Sequence, residues 1–440
     1  MNNQAGINLS AMAASTAIRN RDISAVELAH EFLDAIASEN PRICAVRTTL
    51  TSEALKQAES VDQRLADGAK LGPLAGIPIV VKENCDVAGV ACSAGLSFRQ
   101  SHIPSEDSAV TSLLRKADAT IIGISVSDPG AFTTRTREVT HPIDERLTAG
   151  GSSGGSGAGL LSGMCLGAIG TDTGGSIRIP AACCGTVGLK PTFGSVPMDG
   201  IFPLVPSLDH VGPMARNVPD TELMWNALQD GKLHNVTKLP KRVGFDASWI
   251  SEADEDVAEA VSLALELFEQ GGIELVEIGL PDLDEIASVH STIFVVEALK
   301  YHVSNHNKFR DQYPDIARDW FDYAEGITQT EYENAVAKRR SFTKSLNEHF
   351  GHLDIIASPT LTKREVDKHA STLNVAGQEL DFTMAMVRMT SLFDHTGHPA
   401  LAMPIGTGKT TIPASLQLVG PKNGEAALFG FGKWVEKSVE

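Results

Sequence analysis

Between residues 150 and 180 the chain reads GGSSGGSGAGLLSGMCLGAIGTDTGGSIRIP, a run crowded with serine hydroxyls and glycines. A serine hydroxyl is a weak nucleophile until an adjacent base takes its proton. Within the run, Gly151-Ser152-Ser153-Gly154-Gly155 matches the G-x-S-x-G elbow, which would make Ser153 the nucleophile of an esterase. That elbow must follow a buried strand, and the preceding THPIDERLTAG is polar. A second glycine motif, MPIGTGKT (403–410), ends like a phosphate loop. Met403 stands where the first glycine belongs, however, and TIPASLQLV reads as a strand instead of the helix that would hold phosphate. We read it as a surface turn. The candidate base lies far upstream: Lys82 directly follows the apolar run Ile77–Val81. Such a lysine either snorkels from the strand end or, kept dry, loses its charge and can accept a proton.

These residues need elements to hold them. Ser24-Ala-Val-Glu27 is a capping box followed by Leu28, Phe32 and Ile36 at helical spacing, and that helix is expected to stop before Pro41. A second helix runs from about Ser52 to Ala66 with Gly68 as its stop. Ile77–Val81 and ATIIGISV read as buried strands, with a helix from Ser108 to Lys116 between them. RVGF (242–245), the helix in EDVAEAVSLALELFEQGG and IELVEI (273–278) repeat the strand–helix–strand order. Such alternation predicts an α/β layered fold with a largely parallel sheet. Residues 284–350 read as a helical excursion, and LDIIASPT, HPALAMPIG and IPASLQLVG as further strands. A linker is polar throughout, whereas here the glycines alternate with Leu160, Leu161, Met164, Leu166 and Ile169, which need burial. Glycine at that density means tight packing or a loop cradling a ligand.

Composition narrows the function classes. The net charge of -18 without a Lys/Arg run excludes phosphate-backbone binding, so no nucleic-acid partner is expected. No run reaches the roughly 20 apolar residues of a membrane helix, and MNNQAGINLSAMAAS lacks a basic segment and a long apolar one. The expectation is a soluble, cytoplasmic protein. Its six cysteines (Cys44, Cys85, Cys92, Cys165, Cys183 and Cys184) form no C-x-x-C pair and read as reduced, mostly buried thiols. The histidines show no H-E-x-x-H spacing, so neither a metal nor another cofactor is expected. Asp209 and His210 are adjacent on a strand and face opposite ways, which keeps them from acting as triad partners.

Several longer blocks resemble the amidase signature family of Ser–Ser–Lys amidohydrolases. They are GPLAGIPIVVKENCDVAGV around Lys82, GGSSGGSGAG from Gly150, GTDTGGSIRIPAACCGTVGLKPTFGSVP from Gly170, SLDHVGPMAR from Ser207, and the tail TGHPALAMPIG with IPASLQLVG. The resemblance spans nearly the whole chain. It implies a single α/β/α domain over 1–440 with a mixed central sheet. Within it, 1–70 would be packing helices, 71–283 the catalytic core, 284–350 the excursion and 351–440 the remaining strands. It also implies a nucleophile at Ser176, a bridging serine at Ser152 preceded by a cis peptide bond, and a base at Lys82. The oxyanion hole would be the backbone N–H groups of Thr173, Gly174, Gly175 and Ser176. Ser153, Asp172 and Arg178 would brace the loop. The substrate would be a small amide, carbamate or urea-type molecule, and family habit suggests a homodimer.

The chain departs from the family in ISVSDPGAFTTRTREVTHP, which lacks the Asn and Glu of the usual T-N-x-x-E-F segment bordering the acyl pocket. By position, Ala131 and Phe132 become candidate pocket residues. The segment RDWFDYAEG is expected at the substrate entrance. Two other roles remain open beside amide hydrolysis: the amidase component of a glutamine-dependent tRNA amidotransferase complex, and an esterase using Ser153. The former usually has Gln-Pro where this chain has Ile179-Pro180.

Overall fold

In the computed structural model, which describes residues 9–230, 238–406 and 412–439, the helices begin where their caps place them. Ser24 Oγ accepts the Glu27 N–H while the Glu27 carboxylate accepts the Ser24 N–H, and the helix Ala25–Ile43 buries Leu28, Phe32 and Ile36. It runs on through Pro41 instead of stopping before it. A proline in the last turn forfeits a single intrahelical bond. The end is held instead by Cys44 in the left-handed region, donating to Asn40 O, and by the Asn40 amide, which bonds both backbone groups of Val46. The second helix spans Thr51–Ala66, and Ser108 caps Ala109–Lys116.

Eleven strands form one twisted sheet. From edge to edge they are Val46–Thr49, Thr120–Ser125, Pro78–Lys82, Gly167–Asp172, His210–Ala215, Val187–Lys190, Ala400–Ile405, Ala414–Val419, Ile355–Pro359, Arg242–Phe245 and Glu274–Glu277. The expectation of a largely parallel sheet is corrected. Parallel pairing is confined to two groups of three, Thr120–Ser125 with Pro78–Lys82 and Gly167–Asp172, and Ile355–Pro359 with Arg242–Phe245 and Glu274–Glu277. Every other pairing is antiparallel. The strand–helix–strand units visible in the sequence are the parallel ends; the strands between them return without a crossover helix, so their direction left no period to read. The central strands are buried on both faces, as a layered α/β fold requires. The hairpin Ala400–Ile405 with Ala414–Val419 places a strand after MPIG, where a phosphate loop needs a helix; residues 407–411 of that motif lie outside the described residues. Among the described residues no helix is long and apolar enough to cross a membrane.

The helices Leu283–His306, Asp315–Glu325 and Gln329–His349 form the excursion and carry a second apolar cluster over the sheet. The glycine-rich stretch proves to be tight packing for the most part, because Gly154–Leu161 is a helix with only Leu161 partly exposed. A Cβ on Gly155 would lie 2.4 Å from Ala45 O and 2.5 Å from Val126 O, whereas one on Gly159 would meet nothing nearer than the Cys165 sulfur at 3.7 Å. Gly155→Ala is therefore expected to destabilise by about 1–3 kcal/mol through overpacking. Gly159→Ala should be neutral or stabilising by up to about 1 kcal/mol through helix propensity. Thermal melts of the two variants beside the parent check this, and equal melting temperatures would contradict it.

Candidate active site

Lys82 ends the strand Pro78–Lys82, all five residues of which are buried, and Asp172 ends the neighbouring parallel strand Gly167–Asp172. In parallel α/β sheets ligands gather beyond such carboxyl ends. The lysine is fully buried, so it does not snorkel to water. Its Nζ donates to Ser152 Oγ at 2.7 Å and to Thr171 Oγ1 at 2.8 Å. Asn84 Nδ2 donates to the same threonine hydroxyl at 3.2 Å. Burial pushes the Lys82 ammonium down to about 8, against the opposing pull of Cys85, Asp128, Asp172 and Glu83. A neutral amine is thus within reach near neutral pH, in hydrogen-bond contact with a serine hydroxyl.

Ser152 stands just before the helix Gly154–Leu161, and the Gly151–Ser152 peptide bond is cis. A Cβ on Gly151 would lie 2.5 Å from the Arg135 nitrogen, so the backbone passes too close there for any side chain. Ser153 is sealed in. Its Oγ donates to Thr171 O and accepts the Thr171 N–H, both at 3.3 Å, with no surface exposed. A hydroxyl so placed cannot meet a substrate, and this argues against the esterase reading.

Ser176 lies on the turn after Gly167–Asp172, and it lines a cavity of about 330 Å³ together with Thr173 and Gly174. Its hydroxyl makes no hydrogen bond among the described residues, to Ser152 or otherwise. The turn is held from below by a buried ion pair. Asp172 accepts from the Gly175 and Ile177 N–H groups and from Arg178 Nε and Nη2; Arg178 also donates to Thr390 O, Gln417 Oε1 and Asp394 Oδ2. Burial pushes both carboxyls up. The arginine holds Asp172 below its ordinary range nonetheless, while Asp394, with Asp172 beside it, stays well above. Gly175 has φ +137° and a Cβ on it would lie 2.4 Å from Thr390 Oγ1. Its N–H is committed to Asp172 at 2.6 Å, which corrects its place among the four expected oxyanion donors. The N–H groups of Thr173, Gly174 and Ser176 have no partner among the described residues.

Ala131 and Phe132 line the same cavity, as do Trp320 and Tyr323 of the RDWFDYAEG segment. Asp209 and His210 do part company: Asp209 accepts from Thr173 Oγ1 at 2.6 Å, whereas His210 Nδ1 bonds Leu208 O at 2.6 Å. Two further residues of the site escaped the sequence reading. Thr171 could have been found from its alternation with Thr173 at the end of the strand. His290 reaches the cavity wall from the helix Leu283–His306, and nothing local to it signals that.

The amidase family profile matches residues 27–429. The chain belongs to the amidase signature family. It is 29% identical to AmiD, an amidase candidate of Mycobacterium tuberculosis strain H37Rv, over 94% of this chain and 91% of that one. It is 31% identical to a glutamyl-tRNA(Gln) amidotransferase component of Cyanothece strain PCC 7425, over 91% and 92% of the two chains. A crystal structure of an amidase superposes with a TM-score of 0.91 at 25% identity, covering 98% of this chain and 100% of the other. This amidase is accordingly an amide-hydrolysing enzyme with one mixed-sheet α/β domain.

Arg178 carries the turn. Arg178→Met leaves the Asp172 carboxylate buried beside Asp394 without its ion-pair partner, and is expected to cost about 3–5 kcal/mol of stability. Arg178→Lys keeps the charge but not the fork, and should fall between. Denaturant unfolding of the three proteins orders them, and a methionine variant as stable as the parent would refute the assignment.

Proposed function

We propose that this amidase hydrolyses a neutral carboxamide through an acyl-enzyme on Ser176, with Ser152 and Lys82 moving the proton. The contact between the buried Lys82 amine and Ser152 Oγ carries the reading. Neutral Lys82 takes the Ser152 proton as Ser152 takes that of Ser176, and Ser176 Oγ forms a bond to the amide carbon. The oxygen that becomes negative is met by the free N–H groups of Thr173, Gly174 and Ser176. As the C–N bond breaks, the proton returns through Ser152 to the leaving nitrogen. Water then attacks the ester by the same relay, releasing the acid and restoring Ser176.

The cavity supports a neutral substrate with an apolar body. Phe132, Leu204, Phe294, Val295, Trp320 and Met384 line it, and no lysine or arginine does; Asp381 is its one carboxylate among the described residues. A glutamine would bring an α-carboxylate with no cation to meet it. That weighs against the amidotransferase role which the Cyanothece relative raises. The two roles separate on the purified chain alone: arylamide hydrolysis without a partner supports the first, and ammonia release from glutamine only with partner proteins supports the second.

A fluorophosphonate tests the nucleophile directly, because Ser176 Oγ displaces fluoride from phosphorus and the adduct is weighed. We expect one adduct, mapped to Ser176 and absent in Ser176→Ala. Lys82→Met should slow labelling by about 10²–10⁴-fold, the usual worth of a positioned base. Because Lys82 serves in its neutral form, the labelling rate should rise with pH and level off above about 8. An adduct on Ser153, or a rate flat across that range, would overturn the relay.

A further inference from the structure

Opposite the nucleophile turn the cavity wall carries a histidine that the proton relay does not use. His290 Cε1 and Nε2 both lie 2.9 Å from where a Cβ on Gly174 would sit, so the imidazole is packed against the turn bearing the free N–H groups. Its Nδ1 is 3.0 Å from His395 Nε2. Both rings are buried, and burial pushes His290 down to about 4 and His395 well below its ordinary value, so both are neutral at neutral pH.

Two neutral imidazoles sharing one hydrogen bond have two possible arrangements, and the surroundings choose between them. His395 Nδ1 is buried without a partner. If it carried the proton, an N–H would be orphaned in the interior, which is costlier than leaving a bare ring nitrogen there. The proton therefore sits on His395 Nε2 and is donated to His290 Nδ1, which must be bare. The His290 proton is then on Nε2, which has no protein partner among the described residues, and His290 lines the cavity.

We propose that His290 Nε2–H is a side-chain donor to the carbonyl oxygen of the substrate, completing the set formed by the Thr173, Gly174 and Ser176 N–H groups. The proposal rests on Ser176 being the nucleophile. It also explains how the site manages with the Gly175 N–H committed to Asp172. A neutral imidazole suits the task, since it donates to a developing negative charge without adding a buried cation beside Lys82 and Arg178. The His290–His395 pair acts as a rigid unit, with His395 setting the tautomer and His290 presenting it.

The test uses the same fluorophosphonate, whose phosphoryl oxygen takes the place of the carbonyl oxygen, so the natural substrate need not be known. The maximal inactivation rate and the half-saturating probe concentration are measured for the parent, His290→Phe and His290→Gln, with thermal melts alongside. Loss of one such donor costs about 10²-fold or more in rate. We expect His290→Phe to lose rate by that order with half-saturation nearly unchanged, and His290→Gln, which keeps an N–H, to recover much of it. Should the phenylalanine variant fail to fold, His290→Leu takes its place. A folded donorless variant labelling at the parental rate would overturn the proposal, as would a glutamine variant no faster than the donorless one. Long-range ¹⁵N–¹H spectra of histidine-labelled protein give a second reading: the signal lost in the variant should be the Nε2–H tautomer, and an Nδ1–H tautomer would overturn the argument. A parent that takes no adduct on Ser176 would sink the underlying site reading. A labelled parent with an indifferent His290 sinks this proposal alone.

Discussion

The arrangement of this site depends on keeping the Lys82 ammonium out of water. An amine at the end of a strand normally bends toward solvent, because desolvating it costs several kcal/mol. Here it has nowhere to go. The strand is buried along its whole length, and the parallel neighbour Gly167–Asp172 sets Thr171 Oγ1 within 2.8 Å of the amine. Ser152 closes the remaining side at 2.7 Å. Among the described residues the amine has two hydroxyl acceptors and no carboxylate in direct contact, so it is solvated well enough to fold yet poorly enough to bring its neutral form within reach near neutral pH. A carboxylate in place of Thr171 would have fixed the charge and removed the base.

The same sheet end holds the opposite solution to the same problem. Asp172 and Arg178 are as deeply buried as Lys82, yet they remain charged because they meet at 2.9 Å and every guanidinium nitrogen has an acceptor. Their work is geometric. By collecting the Gly175 and Ile177 N–H groups, Asp172 winds the backbone so that Ser176 faces the cavity and the neighbouring N–H groups are left unpaired. One titratable group is kept soft and the other pair hard, a few residues apart. The difference lies in whether the first partner is a hydroxyl or an ion.

How much of this the sequence disclosed follows from how local each constraint is. Lys82 after an apolar strand, the paired serines and the G-G-S-I-R turn are short-range patterns, and their likeness to the family's blocks is enough to point to Lys82, Ser152 and Ser176. The Ser24 cap was equally legible, since a cap is a matter of three or four residues. The antiparallel centre of the sheet was not. Strands such as His210–Ala215 and Ala400–Ile405 are buried along nearly their whole length, and a fully buried strand carries no mark of its direction. Nor could the fate of the Gly175 N–H be read, because the family pattern says which residues form the turn and not which of their N–H groups Asp172 takes.

His290 is the far end of that scale. It comes from a helix of the excursion, its partner His395 is more than a hundred residues away, and its tautomer is argued from an atom, His395 Nδ1, that bonds nothing among the described residues. No spacing in the sequence encodes such a relation. It arises because the excursion has to cover an apolar cavity and does so with whatever its inner face presents, here mostly phenylalanine, tryptophan and valine beside the imidazole. In a wall to which no lysine or arginine contributes among the described residues, a buried neutral donor is felt more strongly than it would be in water. The sheet end carries Lys82 and the turn with Ser176, and the covering helices supply His290, Phe294, Val295 and Trp320 to the wall that faces them.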